Sequence, residues 1–365
     1  MTVRRHANSL PKDSDSARIA QILSFDSSPN GKTRLKKRIL QFVLAFGVAG
    51  LLLWRVGPAQ LGRALASAQG LPVGLAFLVV AGAVLIKACR FRLLIRGRTS
   101  VRRLFRIAAF QDALNAFLPA RLGELSYLVM LGKEGVPAGE GIASLALARV
   151  GDLVAANVVF YIALAVLGET GLDLAAIILP AAVVFLGALV CVVVVAFFKD
   201  RVNLTADRLM ALVRLPERLR DAVRQNLSHL LSGLRAGRDR RLFIGAFSCS
   251  ILVWIAAALA LHLWIIALGA RLSFWSCALV QTLLAILSLL PIHALLGPAV
   301  VEASLLGLLV LLGIEERLAM TIVLASVVYL AVYYALILPI SVAIAPTAHL
   351  RATEVRPPSS ECPSR

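Results

Sequence analysis

Asn115-Ala-Phe-Leu-Pro-Ala-Arg-Leu-Gly-Glu124 sets a proline, a glycine and two charges into a chain that is otherwise almost continuous apolar sequence. A second stretch repeats the idea, with Leu290 and Pro291, then Gly297 and Pro298, then Glu302. In both places a Leu-Pro break leads through a glycine to a single glutamate. Eleven residues past each glutamate stands another glycine, Gly135 in one case and Gly313 in the other. Paired interruptions at matching places in two halves of a hydrophobic chain mark a transport site.

The 365 residues are 59% hydrophobic and only 16% charged, with mean hydropathy +0.86, which is far more apolar than a soluble domain of this length. The chain reads as an all-α polytopic membrane protein. Its formal charge of +18 could suggest nucleic acid. The basic residues, however, cluster between apolar runs, where insertion bias and anionic lipid explain them, so nucleic acid is not an expected partner. Cys89, Cys191, Cys249 and Cys277 lie in or beside apolar segments and form no CxxC pair or metal-ligand spacing. They read as packing residues, and neither a metal nor a cofactor is expected.

A helix needs roughly twenty apolar residues to span the hydrocarbon core, while runs of ten to fourteen are more often re-entrant or interfacial. Long enough to span are Ile39 to Val56, Leu71 to Ala88, Ile142 to Leu167, Leu174 to Phe198, Leu242 to Leu268 and Leu318 to Ala345. Shorter or interrupted are Leu104 to Leu118, Leu122 to Leu131, Phe274 to Leu290 and Ala299 to Leu312. These four pair into two re-entrant hairpins that turn at the Leu-Pro breaks, since non-helical backbone at membrane depth must be lined by protein or water. About six full spans result, or eight if the second hairpin crosses.

Basic clusters fix the orientation, because cytoplasmic flanks hold the excess of Lys and Arg. Lys32, Arg34, Lys36, Lys37 and Arg38 precede the first span. Arg90, Arg92, Arg96, Arg98, Arg102, Arg103 and Arg106 follow the second, and arginines crowd the stretch from Lys199 to Arg241. All are placed in the cytoplasm, with both termini inside. The first hairpin then enters from the cytoplasm and the second from outside, which makes the two span-hairpin-span units inverted repeats, with substrate near the midplane. The domains are a polar tail over residues 1–33, expected to be disordered, and a membrane domain over 34–346. Its halves, 34–198 and 242–346, are joined by the basic cytoplasmic segment 199–241, and a polar tail follows over 347–365. Within the joining segment Leu219, Val223, Leu227, Leu230 and Leu234 share a helical face and predict an amphipathic surface helix.

Ionisable groups at membrane depth carry the candidate chemistry: Arg121, Glu124, Arg149, Asp152 and Glu302. A charge at a helix centre costs about 3 kcal/mol on insertion scales, so such groups face a bundle interior or a wet cavity and find partners. Arg149 and Asp152, three apart, share a helical face, and they fit either a structural ion pair or a ligand site. Arg121 and Glu124 follow Pro119 at the start of a new helical segment, where a guanidinium suits a phosphate and a carboxylate suits an amine or hydroxyl. Gln111, Asp112 and Asn115 could extend a polar path or satisfy the broken backbone. Glu302, with His293 upstream, is a candidate proton site. Pro119, Gly123, Pro291, Gly297 and Pro298 are the structural breaks.

Enzyme signatures are missing: there is no HExxH, no P-loop and no GxSxG. Ala148-Arg-Val-Gly-Asp152 resembles half of an intramembrane aspartyl protease signature, but Arg149 stands where that motif needs glycine. Glu315-Glu316 begins like a membrane glutamate protease motif, with Met320 in place of its arginine.

Taken together, Asn115 to Glu124, Ala148 to Asp152, and Leu290-Pro291 with Gly297-Pro-Ala-Val-Val-Glu302 resemble the transmembrane flippase-like domain of lysylphosphatidylglycerol synthases and its stand-alone relatives, over about Lys36 to Pro346. The resemblance implies a multi-pass protein of the bacterial inner membrane that moves lipid between leaflets. It also implies that lipids, and a membrane-bound enzyme of lipid biosynthesis, are its partners. In the full synthases a separate soluble domain attaches the amino acid, so aminoacyl transfer is not expected of this polypeptide. Substrate contact is expected at Asn115, Arg121, Glu124, Arg149, Asp152 and Glu302. Two departures stand out. Ala294-Leu-Leu-Gly-Pro298 replaces a Gly-Gly-x-Gly run, and Ser126-Tyr127 replaces a common basic position. They open the substrate class to neutral or isoprenoid lipids, and a non-transporting accessory protein or a headgroup transferase is the alternative.

Overall fold

The computed structural model describes residues 50, 54–117, 122–168, 183, 187, 240–289 and 298–344, and all its regular elements among them are helices. In chain order these are α1 (Pro58–Ser67), α2 (Gly70–Leu94), α3 (Val101–Phe117), α4 (Leu122–Lys133), α5 (Ala138–Leu167), α6 (Arg240–Ala267), α7 (Phe274–Leu289), α8 (Pro298–Leu311) and α9 (Glu316–Ile344). Outside the described residues lie both polar tails, nearly all of the expected first and fourth spans, the Leu219 to Leu234 stretch, and Pro119, Arg121, Pro291, His293 and Gly297.

Four helices, α2, α5, α6 and α9, are long and apolar enough to cross a membrane. They match four of the spans expected from apolar length. Each is apolar round most of its circumference, as a helix facing lipid and protein must be. The remaining long elements are shorter. At 1.5 Å per residue, α3 with 17 residues and α4 with 12 reach about 25 and 18 Å. For α7 with 16 and α8 with 14 the lengths are about 24 and 21 Å. All fall below the roughly 30 Å of a hydrocarbon core. Their observed ends lie within three residues of the expected ones.

The helix ends follow from local sequence. Val136 N–H donates to the Leu131 carbonyl and Gly135 N–H to that of Gly132; Ile314 and Gly313 repeat both bonds to Leu309 and Val310. Gly135 and Gly313 have φ of 80° and 87°, so each glycine placed eleven residues past its glutamate closes a helix by the same left-handed cap.

Packing follows the same correspondence. The most extensive interface joins α2 to α6. These two run antiparallel: Gln69 N–H at the start of α2 donates to the Ala267 carbonyl at the end of α6, and Leu93 near the end of α2 lies against Gly245 near the start of α6. Ala156, Val159 and Phe160 of α5 pack with Ala278, Leu279 and Leu283 of α7. Exchanging the halves turns that contact into α9 against α3, where Tyr333, Tyr334 and Ile337 pack with Ala113. The largest core cluster lies in the second half, around Ile265, Cys277, Val280, Leu309 and Ile322.

Antiparallel packing also defines α3 and α4. At one end Gly123 meets Gln111 and Asn115. At the other, Arg103 Nη1 and Arg106 Nη2 of α3 each donate to Glu134, just beyond α4, at 2.9 Å. The open ends of this hairpin therefore lie side by side. Arg98 adds a 3.0 Å bridge from the preceding turn to Glu140 in the first turn of α5.

Candidate functional site

Gly123 allows the hairpin tip to close. A Cβ there would collide with the Gln111 carbonyl and the Asn115 side chain, so only glycine lets the first turn of α4 cross the last turn of α3 this closely. Glu124 follows immediately, in the first turn of α4. Farther along α4, buried Tyr127 shares a 2.8 Å hydrogen bond with Ser144 of α5, and Ser144 Oγ donates on to the Gly141 carbonyl. That contact holds α4 against α5 and brings Glu124 to Arg149.

From Glu124 a chain of alternating charges crosses the bundle. Arg149 Nη2 of α5 donates to Glu124 Oε1 at 2.5 Å. Arg149 Nη1 stands 4.0 Å from Asp152 Oδ2 one turn on. Asp152 accepts from Arg90 Nη1 of α2, which also donates to Ser250 Oγ of α6 at 2.8 Å. Four helices thus meet through one line of groups whose formal charges sum to zero. Gly151 makes room for the last link, since a Cβ there would lie 2.9 Å from Ser250 Oγ.

The two ends of the line differ. The Arg90 side chain is 4% exposed and that of Asp152 18%, whereas Arg149 is 40% and Glu124 27% exposed. The buried Arg90–Asp152 pair, with Ser250, ties α2, α5 and α6 in register. An accessible arginine beside an accessible carboxylate can exchange partners with a ligand. Arg149 Nε and Asn115 Oδ1, close to this accessible end, are buried without a hydrogen-bond partner among the described residues. Buried polar atoms of that kind call for a partner from outside the chain or from ordered water.

The expected site residues therefore divide. Asn115 and Glu124 lie at the hairpin tip, and Arg149 and Asp152 extend from it across α5. Arg149 and Asp152 do face each other, but at 4.0 Å their stronger partners are Glu124 and Arg90. Glu302 sits in α8, and no hydrogen bond or ion pair joins it to the others among the described residues; its Oε2 is buried without a partner there. Arg121 and His293 lie outside the described residues.

Sequence reasoning missed Arg90 and Ser250 of this line, and two further paired cations outside it, Arg106 and Lys87. Arg90 was counted with the cytoplasmic cluster, as was Arg106, yet both are buried, at 3% and 4% exposure. Each ends inside because an acid waits there, Asp152 for one and Glu134 for the other. Lys87 stands within an expected span and pairs with Asp112 of α3 at 2.8 Å. The available signal was the spacing of Lys87 and Arg90, which puts two cations on one face of an apolar helix.

Among the described residues no group of His, Cys, Asp and Glu is arranged to hold a metal ion. Comparison with curated proteins and with solved structures gives no match. A family model, described as "Lysylphosphatidylglycerol synthase TM region", matches residues 38–341, which takes in the whole ion-pair chain and every described helix except the last three residues of α9. This protein therefore belongs to the lysylphosphatidylglycerol synthase transmembrane-region family.

Proposed function

We propose that this protein is a lipid translocase of the bacterial inner membrane, moving a phospholipid or a modified or isoprenoid lipid between leaflets. The observation that carries this reading is the accessible Glu124–Arg149 pair at the tip of a hairpin too short to span, continuous with a buried charge chain. Arg149 supplies a fork of donors for a phosphate or other anionic headgroup group. Glu124, freed from Arg149 as the headgroup arrives, accepts from an amine or hydroxyl. The acyl chains remain in the bilayer while only the polar group crosses.

Two further facts support the proposal. Membership of the family ties the membrane domain to lipid. The antiparallel α2–α6 pair and the exchange-related α5–α7 and α9–α3 contacts fit two inverted units, an architecture that yields two related conformations open to opposite sides. On this reading α3–α4 and α7–α8 are re-entrant hairpins, the former entering from the cytoplasm and the latter from outside. Glu302 serves the second half as gate or proton acceptor. Its unpartnered buried oxygen is consistent with that role.

The test is transport by reconstituted protein. Purified wild type, Arg149→Ala and Glu124→Gln, each shown to be monodisperse and helical, are placed in proteoliposomes with headgroup-labelled lipids and an impermeant quencher. Loss of a charge-assisted contact worth about 1.5–3 kcal/mol should slow translocation roughly tenfold or more. Native rates in both folded variants would remove the site from the mechanism.

A further inference from the structure

Two cysteines face each other across the seam between α2 and α6, and the ion-pair chain uses neither. Cys89 lies in α2 and Cys249 in α6, and each comes one residue before a member of the buried Arg90–Ser250 hydrogen bond. Those two neighbours point the same way, toward α5, since Arg90 also donates to Asp152 and Ser250 lies against Gly151. One residue back along an α-helix is a rotation of about 100°. In two antiparallel helices that rotation turns both side chains either into the seam or out of it. The contact of Leu93 with Gly245 fixes the sense as inward. Cys89 stands one turn before Leu93 and Cys249 one turn after Gly245, on the faces that already touch. Cys249 also lies within electrostatic range of Cys89. Both thiols are free and only partly buried, whereas Cys277 is enclosed in the core of the second half.

We propose that Cys89 and Cys249 are a peroxide-sensitive thiol pair whose disulfide pins α2 to α6. A peroxide oxidises one thiol to a sulfenic acid: its O–O bond breaks, an S–O bond forms and one water leaves. The facing thiol then displaces the sulfenic hydroxyl as a second water, and one S–S bond stands where two S–H bonds were. The pair has lost two hydrogen atoms, and the peroxide has been reduced to two waters. Gly245 favours the close approach that the bond needs, since a Cβ there would already lie 3.3 Å from Leu93. The product is uncharged and suits an apolar seam. A bridging soft metal ion would instead require both thiols to be ionised there. Because α2 and α6 form the most extensive interface, a bond across them stops any sliding of one helix on the other. The chemistry does not depend on translocation, so it stands or falls separately from the proposed function.

The experiment treats the full chain in detergent micelles with hydrogen peroxide and dimedone, which traps sulfenic acid, and maps the peptides by mass spectrometry. We expect the wild type to lose two hydrogen atoms, to link the Cys89 and Cys249 peptides and to take up little dimedone. Paired thiols meet at an effective concentration on the order of mM, so the link should form roughly a hundredfold faster than bonds between chains at about 10 µM. Ser248→Cys/Cys249→Ser keeps the composition and the depth but turns the thiol to the exposed side of α6. This variant should lose the link and carry dimedone on its thiols instead. Oxidised wild type should resist unfolding by SDS more than the reduced protein, and dithiothreitol should reverse the gain. The proposal is overturned by equal linkage in the exchanged variant, by links between other cysteines at a similar rate, by dimedone uptake in place of the bond in wild type, or by a bond that leaves SDS unfolding unchanged.

Discussion

Removing Asp152 should cost more stability than removing the arginine it binds. Asp152→Asn leaves the Arg90 guanidinium 4% exposed with Ser250 and a neutral amide as its remaining partners, and no second acid in an ion pair with it among the described residues. Breaking a buried pair in this way costs about 3–5 kcal/mol, and the residual amide contact puts the expected loss near 3 kcal/mol. Arg90→Leu leaves Asp152 in a better position, since it is 18% exposed and Arg149 Nη1 stands 4.0 Å away. Its cost should be smaller, about 1–2 kcal/mol. Replacing both with leucine removes the charges together and should return stability to within about 1–2 kcal/mol of native. The assay is unfolding in mixed micelles by SDS titration, followed by far-UV circular dichroism for the wild type and the three variants. Equal losses in the two single variants, or a loss below about 1 kcal/mol in Asp152→Asn, would refute the view that Asp152 is the principal counter-charge of Arg90.

Glycine substitutions should separate by local geometry in the same assay. Gly123→Ala should destabilise by about 1–3 kcal/mol through collision with Gln111, while Gly307→Ala, which meets nothing within 4 Å inside α8, should be neutral or stabilising. Gly135→Ala and Gly313→Ala should each cost about 1–2 kcal/mol, because both sites need positive φ. Glu134→Gln strips the counter-charge from Arg106, buried to 5% exposure, and should loosen the open end of the α3–α4 hairpin, read as faster amide exchange at the start of α3. A cysteine placed at Phe117, at the exposed tip of the hairpin, in a chain whose native cysteines are replaced, should resist an impermeant maleimide added from the membrane side opposite to that which labels a cysteine at Arg102. Labelling of the tip from that opposite side would show that the arms span.

Much of the helix layout was legible because apolar length is a direct consequence of membrane thickness. The interrupted runs around Leu118 and Leu290 give helices shorter than the hydrocarbon core, α3–α4 and α7–α8, with ends close to those expected. The glycine that follows each glutamate by eleven residues was legible as a repeat but not as a cap. Its role depends on φ, which composition does not state. Glu124 and Arg149 were singled out as costly charges, and each supplies the other's partner. Arg90, Arg106 and Lys87 escaped for a common reason. Charge counting assigns basic residues at the end of a span to the cytoplasm as a group, but burial is decided one side chain at a time by the acid facing it. Those acids, Asp152, Glu134 and Asp112, are 62, 28 and 25 residues away along the chain. Ser250, the last link, carries no signal of its own in a long apolar helix and is identified by the Arg90 hydrogen bond and by Gly151 opposite.

The most direct test of the central claim is headgroup translocation by proteoliposomes carrying wild type, Glu124→Gln or Glu302→Gln, assayed with phosphatidylglycerol, phosphatidylcholine and an isoprenoid lipid. Movement of at least one lipid by wild type, lost in both variants, is the predicted result. Failure of wild type to move any of the three lipids faster than protein-free vesicles would contradict the account and favour an accessory role in lipid biosynthesis.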